Sequence, residues 1–209
     1  MTSYTQRSGD KPTLLFRDQK AWEAWLDKNH ATSSGVWLRL ARKGSGRQSA
    51  SYDEALDVAL CYGWIDSQGK SADENYRLQK FTPRAKRSMW SMRNRNKALA
   101  LIRSGQMKPA GLAEVERAKK DGRWSAAYDS PSRMTVPRDF QAAVNRNALA
   151  QAFFKTLDSR NRYAILFRLQ TAKRADTRMR RIQRFVEMLA KNEKLYPPVT
   201  AVVAIERVK

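Results

Sequence analysis

One stretch in the first half of the chain, a helix pattern followed at once by a hairpin pattern, constrains the fold more than any other feature. Ser51 and Glu54 form an S-x-x-E capping box, the arrangement that begins many helices. Apolar residues then recur at helical spacing as far as Gly63, a residue that suits the end of a helix. Two strand-like runs follow at 64–70 and 75–82, separated by a short polar turn. A helix beside an antiparallel hairpin predicts a small sheet that packs on helices.

The rest of the chain adds helices and strands to this nucleus and then helices alone. Residues 36–41 alternate as in a strand, whereas strand signals vanish beyond Trp124. The predicted fold class is therefore α+β, with a small N-terminal antiparallel sheet and helices followed by an all-helical region. The predicted divisions are a flexible leader at 1–12, an α+β domain at 13–128, a helical domain at 129–197 and a tail at 198–209.

The largest departure from ordinary composition is the formal net charge of +21, with a pI near 10.6. Such a charge favours anionic partners, and DNA, RNA or an acidic protein are the candidates. A membrane surface is the weaker reading, because the polar face of the basic C-terminal helix lacks large apolar residues. The alternative is a basic surface that only keeps the protein in solution.

Other residue counts limit the chemistry. The chain has one histidine and one cysteine, Cys61, so neither a disulfide framework nor a zinc site is expected. No catalytic motif is present, and no metal or cofactor is predicted, which favours a binding protein over an enzyme. The start of the chain has no hydrophobic signal segment, and no run reaches the roughly 18 apolar residues of a membrane-spanning helix. We therefore expect a soluble, cytoplasmic protein, or a nuclear one in a eukaryote.

A dense basic segment follows the hairpin. Between residues 70 and 108, eleven Lys and Arg residues face only two carboxylates. A helix is predicted from about Ser88 to Ser104, and on it Trp90, Arg93 and Lys97 share one face. An aromatic ring flanked by cations on an exposed face can stack on a base while the cations meet phosphates. The alternative is that Trp90 lies in the core and the cations form a solvated rim. The residues expected to bind phosphates or carboxylates here are Arg84, Arg87, Arg93, Arg95 and Lys97, with Trp90 stacking.

A second basic cluster lies on a helix predicted from about Ala175 to Lys191. Arg174, Arg180 and Arg184 are its candidate anion-binding residues. The alternative is an ordinary solvated helix face.

A small-molecule pocket or an enzyme of unknown reaction is the rival from another functional class. It would use residues near Cys61, Trp64 and Asp66, because an acidic residue at the start of an apolar strand needs a partner. A structural salt bridge or a turn hydrogen bond is the alternative for Asp66.

Four segments carry a resemblance to a known family. They read SYDEALDVALCYGWIDSQ, QKFTPRAKRSMWS, MKPAGLAEVERAKKDGRWSAAYD and YAILFRLQTAKRADTRMRRI. These segments resemble the YdeI/OmpD-associated proteins, also called bacteriocin-protection or OmdA-like proteins, over roughly residues 14–195. The resemblance implies a stress-response or bacteriocin-protection role without a known catalytic cycle.

Overall fold

The computed structural model describes residues 11–197. The predicted tail at 198–209 and the first ten residues of the predicted leader lie outside the described residues. The chain divides into two compact units, with the boundary between Ala127 and Tyr128.

The first unit combines four strands with four helices within the described residues. In chain order these are β1 Thr13–Leu14, α1 Gln19–Asn29, β2 Val36–Ala41, α2 Tyr52–Cys61, β3 Trp64–Ser71, β4 Tyr76–Pro83, α3 Met92–Arg103 and α4 Pro109–Lys120.

The four strands form one sheet in the order β1-β2-β4-β3. β2, β4 and β3 are antiparallel neighbours, and Trp37 stands opposite Lys80 in the β2–β4 ladder. The short β1 runs parallel to β2. The predicted α+β class is confirmed, and the sheet is mixed rather than antiparallel throughout, because β1 precedes a helix instead of a hairpin turn.

The core of this unit lies against one face of the sheet. Val36, Leu38 and Leu40 of β2 are at most 2% exposed and pack with Trp22 of α1 and Phe81 of β4. The alternation of side chains along a strand turns the intervening residues of β2 to the opposite face. The sheet is thus apolar on its inner face and mixed in character on its outer face.

The local signals explain where α2 begins and ends. The Ser51 hydroxyl accepts from the Glu54 backbone N–H at 3.3 Å, and the Glu54 carboxylate accepts from the Ser51 N–H at 2.7 Å. Gly63 follows the helix with a φ of +72°, a conformation that glycine adopts without steric cost. The chain then enters β3 directly, which confirms the predicted helix–hairpin order.

Helix α3 begins four residues later than predicted. The Ser91 hydroxyl caps it by accepting from the Asn94 N–H at 3.1 Å, so the first helical residue is Met92. The predicted start near Ser88 is wrong, and Trp90 therefore precedes the helix.

The second unit is helical within the described residues. Its helices are α5 Arg138–Asn145, α6 Ala148–Thr156, α7 Ser159–Gln170 and α8 Ala175–Ala190. Phe140, Phe154, Ile165, Phe185 and Leu189 lie at the centre of its separate core. None of the helices in residues 11–197 is long and apolar enough to cross a membrane.

Candidate functional site

Trp90 and Arg84 are buried together rather than displayed. Trp90 is 1% exposed and Arg84 is 5% exposed. The guanidinium carbon of Arg84 lies 3.6 Å from the centroid of the Trp90 ring, and Trp124 contacts that ring edge-on at 4.9 Å. The prediction that Trp90 stacks on a base is therefore wrong, because its faces are already covered by side chains of the same unit. The core interpretation of this tryptophan is the correct one.

The predicted cations on α3 are paired with carboxylates of α2. Arg93 lies 2.6 Å from Asp53, and Lys97 lies 3.4 Å from Asp53 and 2.7 Å from Asp57. Burial raises the pKa of Asp53, but the nearby charges of Lys97 and Arg93 outweigh it and hold this pKa below its usual value. An external phosphate would have to compete with these intramolecular partners.

The remaining predicted cations of the first segment differ from each other. Arg95 is half-buried and donates to the Trp124 carbonyl at 3.3 Å, whereas Arg87 is exposed. The sequence pattern missed these pairings because the partners lie about 30 to 40 residues away in the chain. A partner at that separation leaves no local signal.

The predicted cluster on α8 is far more open. The side chains of Arg174 and Arg180 are 80% and 76% exposed and share one carboxylate, Asp176, at 3.1 Å and 3.4 Å. Arg184 is also exposed, and within residues 11–197 it has no carboxylate within ion-pair distance. We call Arg174, Arg180 and Arg184 the α8 cationic face.

Another arginine of α8, Arg178, makes structural contacts instead. Arg178 donates to both oxygens of Asp139 at 2.6 Å and 2.8 Å and to the Leu169 carbonyl at 2.6 Å. These hydrogen bonds from Arg178 hold the pKa of Asp139 below its usual value, against the opposing effect of burial. Arg178 thereby joins α5, α7 and α8, and it is not available to a ligand.

The residues predicted to form a pocket, Cys61, Trp64 and Asp66, have different surroundings. Trp64 is 1% exposed, and its indole N–H donates to the His30 carbonyl at 3.1 Å. Asp66 accepts a hydrogen bond from the Tyr52 hydroxyl of α2 at 2.7 Å. It thus has a structural partner, although this bond is neither the salt bridge nor the turn hydrogen bond that was the stated alternative. Cys61 lines a cavity together with residues of α1 and α2.

The cavity beside Cys61 is a cleft of about 190 Å³ between α1, α2, the end of α3 and the loop that leads to α4. Its charged groups neutralise each other, since Lys108 lies 3.2 Å from Glu23 and Lys97 lies 2.7 Å from Asp57. Burial is the main cause that raises the pKa of the Cys61 thiol to about 11, and the negative charges of Glu23 and Asp57 add to it. The thiol is therefore protonated at neutral pH and is a poor nucleophile.

The outer face of the sheet brings aromatic rings and cations together, and the sequence reading did not single it out. The Lys70 and Lys80 ammonium nitrogens lie 4.5 Å and 5.7 Å from the centroid of the Trp37 ring. The Arg39 guanidinium lies 4.3 Å from the centroid of the Tyr76 ring. The available signal was the alternation of Trp37 and Arg39 with buried residues along β2, which places both on the outer face.

Two family models match different parts of the chain. Residues 14–114 match a model described as a domain of unknown function (DUF8412). Residues 133–192 match the model described as Bacteriocin-protection, YdeI or OmpD-Associated. No curated protein gives a significant match, and neither does any solved structure. The predicted resemblance is confirmed for residues 133–192, whereas its first two segments, at 51–68 and 79–91, lie within the other match.

Proposed function

Because residues 133–192 match the model described as Bacteriocin-protection, YdeI or OmpD-Associated, we propose a bacteriocin-protection-type accessory role for this protein. We propose further that it acts by binding, and that the α8 cationic face holds the phosphates of a nucleic acid.

The exposure of Arg174 and Arg180 carries this proposal. These side chains are 80% and 76% exposed and have one carboxylate between them, whereas Lys97 on α3 contacts two carboxylates and is 23% exposed. The forked guanidinium group matches a phosphate with two parallel hydrogen bonds. The face is therefore accessible to phosphate, and the pairing that it would give up on binding is with one exposed carboxylate, Asp176.

The charge of the surrounding unit supports the same partner. Residues 128–197 contain fifteen Lys and Arg residues and six Asp and Glu residues. Such an excess attracts a polyanion over distances of the order of the Debye length, about 8 Å at physiological salt. The same charge would also attract an acidic protein, and the experiment below distinguishes that partner from a nucleic acid.

Fluorescence anisotropy with a labelled DNA duplex, measured between 50 and 200 mM salt, tests the proposal. Replacing Arg180 and Arg184 by Gln removes two phosphate contacts, and each contact contributes roughly 0.9 to the slope of log affinity against log salt. We therefore expect the slope to fall by up to about 1.8 and the affinity to fall with it.

A matched control removes the same charge elsewhere. Arg93→Gln with Lys97→Gln also deletes two cations, but these are already paired with Asp53 and Asp57. We expect a smaller change in slope from this variant. Equal losses from the two variants would show that only net charge matters and would reject the α8 cationic face. Binding of polyglutamate without binding of the duplex would identify an acidic protein as the partner instead.

A further inference from the structure

The outer face of the sheet is a surface of aromatic rings and cations that the core does not use. Trp37 and Arg39 of β2, Tyr76 and Lys80 of β4, and Lys70 of β3 form this surface, which we call the sheet platform. Trp37 stands directly opposite Lys80 in the β2–β4 ladder, while Lys70 reaches Trp37 from the far side of β4. Side chains of three strands therefore meet over one indole ring.

Trp37 and Tyr76 stand apart from the apolar packing of their own unit. Both are half-buried, and within the described residues neither belongs to the core cluster nor packs against it. The other tryptophans of the unit are all part of that cluster or packed on it. The faces of these two rings are covered by the flexible side chains of Lys70, Lys80 and Arg39, not by the core.

The charge of the sheet platform is positive. Arg39 is paired with Asp73 at 2.8 Å, and the Lys70 and Lys80 ammonium groups have no carboxylate at ion-pair distance within residues 11–197. Among the described residues, the interaction that the structure gives for each of these ammonium groups is with the Trp37 ring. The two lysines can leave the Trp37 ring for a phosphate without breaking an ion pair, whereas Arg39 above Tyr76 is held by Asp73.

We propose that the sheet platform binds single-stranded nucleic acid, with bases stacked on Trp37 and Tyr76 and phosphates held by Lys70 and Lys80. Tyr76 is opposite Ala41, so the two rings are separated by four residues along β2 and one strand across, roughly 14 Å. That distance accommodates two separate bases. Stacking of a base on an aromatic ring is stronger than an exposed cation–π contact, so the exchange of lysine for base is favourable.

A single strand fits this surface better than a duplex does. Bases in a duplex are stacked on one another and present only their edges, whereas the bases of a single strand can be splayed onto a protein ring. An acidic peptide would meet the lysines but would leave the aromatic faces without a partner. This inference rests on the proposed function in taking nucleic acid as the partner, but it uses a different unit and different residues.

The test compares two labelled 12-mers by fluorescence anisotropy: oligo(dT) and an abasic strand with the same number of phosphates. The wild-type protein should bind oligo(dT) at least about fivefold more tightly, because one stacked base contributes that much or more. Trp37→Leu should remove most of this preference, and Trp37→Phe, which keeps an aromatic face, should retain it. Lys70→Gln with Lys80→Gln should lower the salt slope for oligo(dT) by up to about 1.4.

Equal affinity of the wild-type protein for both strands would overturn the inference without any variant. A preference that Trp37→Leu leaves unchanged, in a variant whose circular dichroism is that of the wild type, would overturn it too. Arg180→Gln with Arg184→Gln should leave the base preference intact, while its effect on duplex binding reports on the α8 cationic face. The experiments can therefore reject binding at the sheet platform and binding at the α8 cationic face independently of each other.

Discussion

Replacing Gly111 by Ala has two opposite effects on stability. Alanine favours the helical conformation, but its methyl group would clash with the end of α2, and the structure predicts that the clash is the larger effect. Gly111 lies in the first turn of α4, where Ala would ordinarily stabilise a helix by about 0.5–1 kcal/mol. A Cβ atom at this position would lie 2.4 Å from the Cys61 carbonyl oxygen and 2.7 Å from the Leu60 carbonyl oxygen, both at the end of α2. Ordinary contacts between carbon and oxygen are longer, so the backbones of the two helices must separate.

The cost follows from what that separation disturbs. The Lys108 N–H donates to the Cys61 carbonyl at 3.2 Å, and Val115 and Ala118 of α4 are fully buried in the core. Inserting a methyl group into a packed site costs about 1–3 kcal/mol. After the helix preference is subtracted, we expect Gly111→Ala to destabilise the unit by up to about 2.5 kcal/mol.

Tryptophan fluorescence during urea unfolding measures this unit selectively, because all six tryptophans lie between residues 22 and 124. The matched control is Ala113→Gly, an exposed position on the same helix, which should cost about 1 kcal/mol through helix preference alone. A Gly111→Ala protein that is more stable than the wild type would refute the reasoning. It would mean that α2 and α4 can separate without cost.

Three further predictions concern individual side chains. Tyr52→Phe removes the hydrogen bond to the Asp66 carboxylate at 2.7 Å and should cost about 1.5–3 kcal/mol by tryptophan fluorescence; unchanged stability would contradict this role. Asp139→Asn should cost about 1 kcal/mol at pH 7, since Arg178 lowers the pKa of Asp139 and the ionised form is the stabilising one. That difference should shrink as the pH falls through the lowered pKa, as followed by circular dichroism, and a difference that does not decrease at all between pH 7 and pH 2 would contradict it. Cys61, whose pKa is raised from 9.0 to about 11, should react with iodoacetamide at pH 8 at least about a hundredfold more slowly than in urea; equal rates would contradict its burial.

Much of the fold could be read from local patterns. The capping box at Ser51 and Glu54, the alternation along β2 and the loss of strand signals beyond Trp124 each depend on residues close in the chain. Such signals survive without knowledge of the rest of the molecule, because capping and alternation are properties of a few consecutive residues. The predicted start of α3 was four residues too early, because periodicity locates a helix better than its first residue, which the Ser91 cap determines.

The candidate sites were harder to predict, because charge patterns show which residues could bind an anion but not which are already occupied. Arg93 and Lys97 were expected to meet phosphates, and in the structure they meet Asp53 and Asp57 of α2. Arg180 belonged to an equally basic run and remained exposed. Spacing within one helix cannot distinguish these cases, since the carboxylates come from another element.

By itself the sequence determined the class of fold, the order of its elements and the excess of positive charge, because these follow from residue type and short-range periodicity. Only the tertiary structure decided that Trp90 lies in the core and that Trp37 lies on the outer face of a sheet beneath Lys70 and Lys80. Both residues are tryptophans beside cations in the sequence. Their surroundings differ because contacts between distant elements, and not neighbours in the chain, determine which face of an aromatic ring is left for a partner.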